Sequence, residues 1–218
     1  MICTKLLCKV IWSNLIQSMH LSTMRPDVDR DFFMNAIDLL LGRNSAPRVC
    51  EPAPSAQELD TLFQAAVRAP DHGRLRPWRF LTISGEARSK LAEVFVEALL
   101  QRNPASTEAE QDKARTSPFR APLLVVVVAK QLEDPKVPAV EQLLSAGCAA
   151  HSILLAAQAM GYGGVWRTGD NAFDGTVMRH LGLASDEVIV GFLYIGTPAR
   201  AYKPLPVLAL EDYVQQWP

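Results

Sequence analysis

Residues 123–129 read LLVVVVA, seven apolar positions in a row with four consecutive valines. β-Branched side chains suit a pleated strand, and an unbroken apolar run marks a strand buried on both faces. Such a strand needs cover on each side, and the flanking sequence supplies helices. Apolar residues fall at helical spacing from Phe33 to Leu41, and Gly42 is a natural stop. Ser55 and Glu58 have capping-box spacing, with Leu59, Leu62, Phe63 and Ala66 on one face, so a helix begins at Ser55 and ends by Ala69, before Pro70. WRFLTI reads as a strand, Glu86 to Gln101 as a helix, and TEAEQDKART as a polar, solvent-facing helix. Glu141 to Met160 is the longest helical pattern, and its many small residues predict a central helix rather than a surface one. A short helix around GTVMRHLG and the strand EVIVGFLYIG precede a Pro-rich tail. Helices and strands alternate loosely, which predicts an α/β or α+β domain.

The 218 residues suffice for one sizeable core. A formal net charge of -1 gives no overall basic footprint, so nucleic acid is not expected as a partner. Cys3, Cys8, Cys50 and Cys148 form no C-x-x-C pair and no zinc spacing, which predicts free thiols in a reducing, cytoplasmic setting. The first 24 residues are apolar, but Lys5 and Lys9 interrupt them and no run is long enough to span a bilayer. They lack the form of a signal peptide, and Arg25 is the first arginine. The expectation is an extension over residues 1–33 from a start assigned too early, with Met24 or Met34 as the working start and the domain over 34–218.

Side-chain catalysis finds little support. There is no G-x-S-x-G, no P-loop and no H-E-x-x-H. His151, inside the long helix, is expected to be a satisfied core histidine, and His180 to suit a helix C-terminus. His72 differs, because it lies in RAPDHGRLRPWRF, where four arginines gather in a nearly neutral chain. Arg68, Arg74 and Arg76 are either surface charge beside a turn or an anion site. GRNSAPR, with Arg43, Asn44 and Ser45, is either a helix end with a solvated loop or a set of donors for a phosphate. The glycines of GYGGVWRTG either end the long helix or let backbone approach a flat ligand; Trp166 and Arg167 add a stacking face and a cation.

The order of these motifs resembles the nitroreductase family of flavoproteins, within it the small YdjA-type branch. The stretches that carry the likeness are MNAIDLLLGRNSAPR, RAPDH, RPWRF, FRAPLLVVVVAK, EQLLSAGCAA, GYGGVWRTG and IVGFLYIGTP, covering about Met34 to Pro218. The resemblance implies an α+β FMN-binding fold with a central mixed sheet flanked by helices, assembled as an intertwined homodimer with its flavins at the subunit interface. It places Arg43, Asn44 and Ser45 against the FMN phosphate and ribityl end. Arg68 and His72 reach the cofactor from the partner chain, and Trp166, Arg167 and Thr168 complete the pocket. Arg200 or Lys203 would assist with phosphate. Asn44 stands where the family has a second arginine, so one charged contact is lost.

The resemblance also implies chemistry. NADH or NADPH would pass a hydride to flavin N5, and a small acceptor such as a nitroaromatic or quinone would then be reduced. Arginines suit a dianionic phosphate and an electron-rich ring, and this answers why positive charge is gathered locally. Two other readings stay open: a flavin-dependent dehydrogenase on the same fold, and a non-enzymatic flavin-binding redox sensor. No membrane partner is expected.

Overall fold

A computed structural model describes residues 35–134 and 136–217. The expected extension, with Cys3, Cys8, His20 and the start of the first helix at Phe33, lies outside the described residues. The long apolar run becomes strand β3, Leu123–Lys130, and it is buried on both faces as its composition predicts. Strand β2, Trp78–Ser84, pairs along one side of it, from Trp78 opposite Ala129 to Ser84 opposite Leu123. Strand β5, Glu187–Pro198, pairs along the other side. The short β4, Gly163–Arg167, pairs with β5, and the two-residue β1, Val49–Cys50, joins the far end of β5.

All these pairings are antiparallel, where a mixed sheet was expected. The connection between β2 and β3 accounts for its part of this. It runs through helices α3, Ala87–Arg102, and α4, Glu108–Thr116. That excursion leaves at Ser84 and returns at Leu123, which are paired residues, so the chain re-enters at the same end of the sheet. A parallel neighbour would need a crossover to the opposite end.

Alternate residues of β3 serve two cores. Leu123, Val125, Val127 and Ala129 pack under helices α2, Ala56–Ala66, and α5, Ala139–Ala159. Leu124, Val126 and Val128 pack on the other face, against Leu91 and Phe95 of α3 and Val177 of α6, Gly175–His180. Two capping boxes start helices where short side chains precede a glutamate. Ser55 and Glu58 open α2, as the sequence predicts, and Thr107 and Glu110 open α4. Helix α4 buries none of its residues, in keeping with its polar pattern.

Helix α5 departs from expectation in one respect. Its inner face, including Ala146, Ala149, Ala150, Ile153 and Ala157, is buried on the sheet. Its outer face leaves Val140, Leu143, Leu144, Cys148 and His151 exposed. His151 is therefore not a core histidine, because none of the described residues covers this side of the helix. His180 ends α6 as expected, and its Nε2 lies 3.0 Å from Glu97 of α3. By length and composition α5 alone among the described residues could cross a membrane, but its inner face is part of the core.

Candidate functional site

The first helix, α1, runs Ala36–Gly42 and is N-capped by Asn35, whose side chain accepts from the Ile37 N–H at 2.9 Å. Its C-terminal loop is held by Gln158, near the end of α5. The Gln158 amide donates to the Gly42 carbonyl at 3.1 Å and accepts from the Asn44 N–H at 3.3 Å. Asn44 Nδ2 donates to the Lys203 carbonyl at 2.8 Å, so the tail after β5 lies beside this loop. The loop then meets β4, where the Ala46 N–H donates to the Gly164 carbonyl at 3.0 Å. A side chain at Gly163 would collide with Ala46, 2.8 Å from an added Cβ, so only glycine permits this approach. Arg43, Asn44, Ser45 and Lys203 thus gather where the loop, the end of α5 and the tail meet.

The structure resolves the two readings of GYGGVWRTG by dividing the segment. Gly161, with φ of 83°, ends α5 in the left-handed region, while Gly163 and Gly164 belong to β4. Trp166 and Arg167 follow on the same strand and therefore face opposite sides. Trp166 turns toward α5. Its indole lies over Gly191, where the register with β3 slips and Val190 bulges from β5. Trp166 Nε1 donates to the Val190 carbonyl at 3.3 Å. Arg167 turns the other way, its guanidinium 5.9 Å from the centre of the Tyr194 ring. The expected pairing of a stacking face and a cation is therefore split between two faces of β4.

Arg167 lies on two adjoining cavities. One, of about 740 Å³, extends from Ala46, Pro47 and Arg48 past Arg88 and Arg120 to Val165 and Tyr194. The other, of about 560 Å³, continues past Thr168 to Asn171, beneath α3 and α4. Burial pushes the Tyr194 phenol up, and the positive charges of Arg120 and Arg167 act against that. Arg48 and Arg120 were not singled out from the sequence. Arg48 closes the quoted GRNSAPR, and Arg120 lies in the quoted FRAP, so both were legible as cations without a known neighbour.

Arg68 and His72 lie elsewhere. His72 opens a short turn, His72–Arg74, and its Nδ1 is 2.7 Å from Glu141 in the first turn of α5. Glu141 and Gln158 are separated by 17 residues of that helix, roughly 26 Å at 1.5 Å per residue. The chain therefore does not bring His72 to the Arg43–Ser45 loop. Of the four arginines in RAPDHGRLRPWRF, Arg79 is engaged by Glu187, donating from Nε and Nη2 at 2.6 Å each. Arg76 faces Asp71, whose carboxylate also accepts from the Arg76 N–H at 2.9 Å. Arg74 and Arg76 both have positive φ, 58° and 52°, beside Gly73.

Between the two ends runs a third cavity of about 640 Å³ along the outer face of α5. Pro70, Leu143, Leu144, Cys148, Trp166 and Phe173 are among its lining residues. Phe173 is 75% exposed, and Val207 and Trp217 in the tail are 100% and 90% exposed.

Comparison with known proteins bears on the family and the fold. The family model described as "Nitroreductase family" matches residues 50–197. The Escherichia coli K12 protein named "Putative NAD(P)H nitroreductase YdjA" is 44% identical over 165 residues, covering 76% of this chain and 89% of that protein. A nitroreductase-like family protein from Bacillus cereus superposes with a TM-score of 0.73 at 23% identity, over 85% of this chain and 97% of that one. The FMN and NADPH-dependent nitroreductase NfnB from Sphigopyxis sp. strain HMH gives 0.67 at 17% identity, over 85% and 100%. The last two likenesses are of fold. With a family model over most of its length and a close relative in sequence, the chain belongs to the nitroreductase family.

Proposed function

We propose that the chain is an FMN-dependent oxidoreductase that passes reducing equivalents from NADH or NADPH to a small oxidised acceptor such as a nitroaromatic or a quinone. The observation that carries this reading is the groove from Ala46, Pro47 and Arg48 along β4 to Arg167 and Thr168, directly after the Arg43–Ser45 loop. Its chemistry fits FMN end to end. Arg43 and Lys203 offer cations for a dianionic phosphate, and Asn44 and Ser45 add short donors for the ribityl end. Tyr194, Val165 and Phe192 give the groove flat apolar walls for a ring. When bound, FMN supplies two-electron chemistry at N5 that no side chain of this site offers. The names printed for the relatives, NAD(P)H nitroreductase and FMN and NADPH-dependent nitroreductase, support the same assignment.

The protein's own contribution is binding and electrostatics. Arg48 and Arg167 border the groove, and guanidinium charge at the pyrimidine edge of a flavin favours added negative charge there. Arg167 is held in place by the face of Tyr194.

The working unit in this reading is a homodimer. His72 and the Arg43–Ser45 loop stand at opposite ends of α5, too far apart for one FMN within one chain. A second copy, running antiparallel along the exposed face of α5, sets the partner's Arg68 and His72 beside the groove. The exposed apolar residues of α5 and the tail support an interface there. Free Cys50 and Cys148 suit a reducing cytoplasm. Fluorescence titration of FMN into flavin-depleted protein tests the assignment. Saturation at one FMN per chain is expected; failure to bind FMN contradicts it.

A further inference from the structure

The turn after His72 holds two arginines in a conformation that side chains rarely adopt. Arg74 has φ of 58° and Arg76 of 52°, following Gly73 at 73°. Left-handed backbone strains an arginine, and such strain persists only where the surroundings enforce it. Here they do. Asp71, its side chain largely buried, accepts from the Arg76 N–H at 2.9 Å, and the Arg76 carbonyl accepts from the Trp78 N–H at 2.8 Å. Gly73 lies against Val137, which is 3.3 Å from the place of an added Cβ, and His72 Nδ1 is 2.7 Å from Glu141. Leu75 is half-buried, while Arg74 and Arg76 on either side of it are exposed. The turn is thus anchored on the protein and presents arginine outward.

The carboxylates around this turn are already engaged. Asp71 faces Arg76, with Nε at 3.6 Å, and Glu141 faces His72. Asp134, in the loop ahead of α5, accepts from the Lys136 and Val137 N–H groups at 2.7 and 3.0 Å. Among the described residues, the side chains of Arg68 and Arg74 form neither a hydrogen bond nor an ion pair. Arg68 is assigned to the flavin above. Arg74 is left as an exposed guanidinium on a fixed backbone with its donors unused, which suits a phosphate.

We propose that Arg74 selects the electron donor by binding the 2′-phosphate of NADPH, so that the protein prefers NADPH to NADH. This rests on the FMN-dependent reduction and the dimer proposed above. Arg74 is two residues from His72, so their Cα atoms are within about 7 Å of each other. With the partner's His72 beside the flavin, the partner's Arg74 stands at the rim of the same site. The FMN phosphate is bound at the far end, by Arg43 to Ser45, and does not neutralise it. A nitroaromatic or quinone is too short to touch ring and rim together. The nicotinamide donor spans both, because its adenosine half extends beyond the ring that reacts. NADPH differs from NADH by one phosphate on that half, and arginine is the residue that accommodates it.

The test follows flavin reduction in the FMN-loaded protein, anaerobically and without acceptor, over a range of NADPH and then NADH concentrations. The second-order rate constant is expected to favour NADPH by about ten-fold, the scale of one charge-assisted contact. That preference should shrink as salt is raised, because Arg74 is exposed. In Arg74→Gln it should fall to within about two-fold of unity, with the loss in NADPH affinity rather than in the limiting rate of reduction. A wild-type ratio at or below one overturns the proposal, as does a preference for NADPH that Arg74→Gln leaves unchanged. Loss of bound FMN from Arg74→Gln also overturns it, since the residue would then hold the cofactor. Failure of both donors to reduce the flavin overturns the proposal together with the oxidoreductase reading. Reduction by NADH alone, or equally by both, overturns donor selection and leaves that reading standing.

Discussion

Asn44 Nδ2 donates to the backbone carbonyl of Lys203 at 2.8 Å, tying the loop after α1 to the tail after β5. In the motif this chain resembles, an arginine stands at this position. Here the side chain gives up a charge and instead fixes the backbone of another cation. Asn44→Ala is expected to weaken FMN binding about three- to ten-fold, the worth of one hydrogen bond. Thermal stability of the FMN-free protein should change little, because the bond is exposed. Fluorescence titration and a melting curve separate the two effects; equal FMN affinity in both proteins would remove Asn44 from the site.

The composite site predicts complementation between two defective chains. Arg43→Ala removes a contact made by one chain, and Arg68→Ala/His72→Ala removes contacts made by its partner. Each variant alone should be impaired at both sites. In a twofold dimer that contains one of each, one site is doubly defective and the other intact. Co-expression in equal amounts should therefore restore about a quarter of wild-type activity. No recovery in isolated mixed dimers would mean that each site is built within one chain.

Trp166 depends on a missing side chain. A Cβ at Gly191 would fall inside the indole, and the bulge at Val190 gives Trp166 Nε1 its acceptor. Gly191→Ala is expected to cost about 1–3 kcal/mol through overpacking. The displaced indole should also change the tryptophan emission spectrum. Unfolding monitored by circular dichroism, together with that spectrum, checks both; an unchanged spectrum would show that the indole does not lie where described.

Arg79 and Glu187 join β2 to β5 across the central strand. Two hydrogen bonds from Arg79 hold the Glu187 carboxyl at about 2, well below its ordinary value of 4.5, against the opposing effect of burial. A carboxyl depressed in the folded state stabilises above its ordinary value, and that stability is lost as pH falls through about 2. The shift corresponds to about 3 kcal/mol. Glu187→Gln should lower stability by roughly that amount at pH 7, and the gap should narrow steadily below pH 4.5. Urea unfolding at pH 7 and pH 3 tests this; a gap that does not change with pH would assign it to packing alone.

What could be read from sequence divides along physical lines. The LLVVVVA run and the Ser55–Glu58 box were legible, because burial on both faces and cap chemistry are local properties. The antiparallel sheet was not, since strand direction depends on where the α3–α4 excursion returns. His151 was misread for a related reason. Small residues show that a helix can be approached closely, but not whether the approaching surface belongs to the same chain. Arg167 was found from motif order and does border the groove, whereas Arg43 to Ser45 lie in the loop just before its first lining residue, Ala46. Arg48 and Arg120 passed unnoticed because a lone arginine in a loop carries no sign of its neighbours. Trp166 was placed with Arg167 although alternation along a strand separates them, and that segment showed no strand pattern through its glycines.

The central claim is that this chain holds a flavin reducible by a nicotinamide. The direct measurement is the visible spectrum of the purified, FMN-loaded protein, recorded anaerobically before and after one equivalent of NADH or NADPH. The account predicts loss of the flavin absorbance band with at least one donor, and its return when a nitroaromatic or quinone is added. A flavin band that neither donor bleaches would contradict the account.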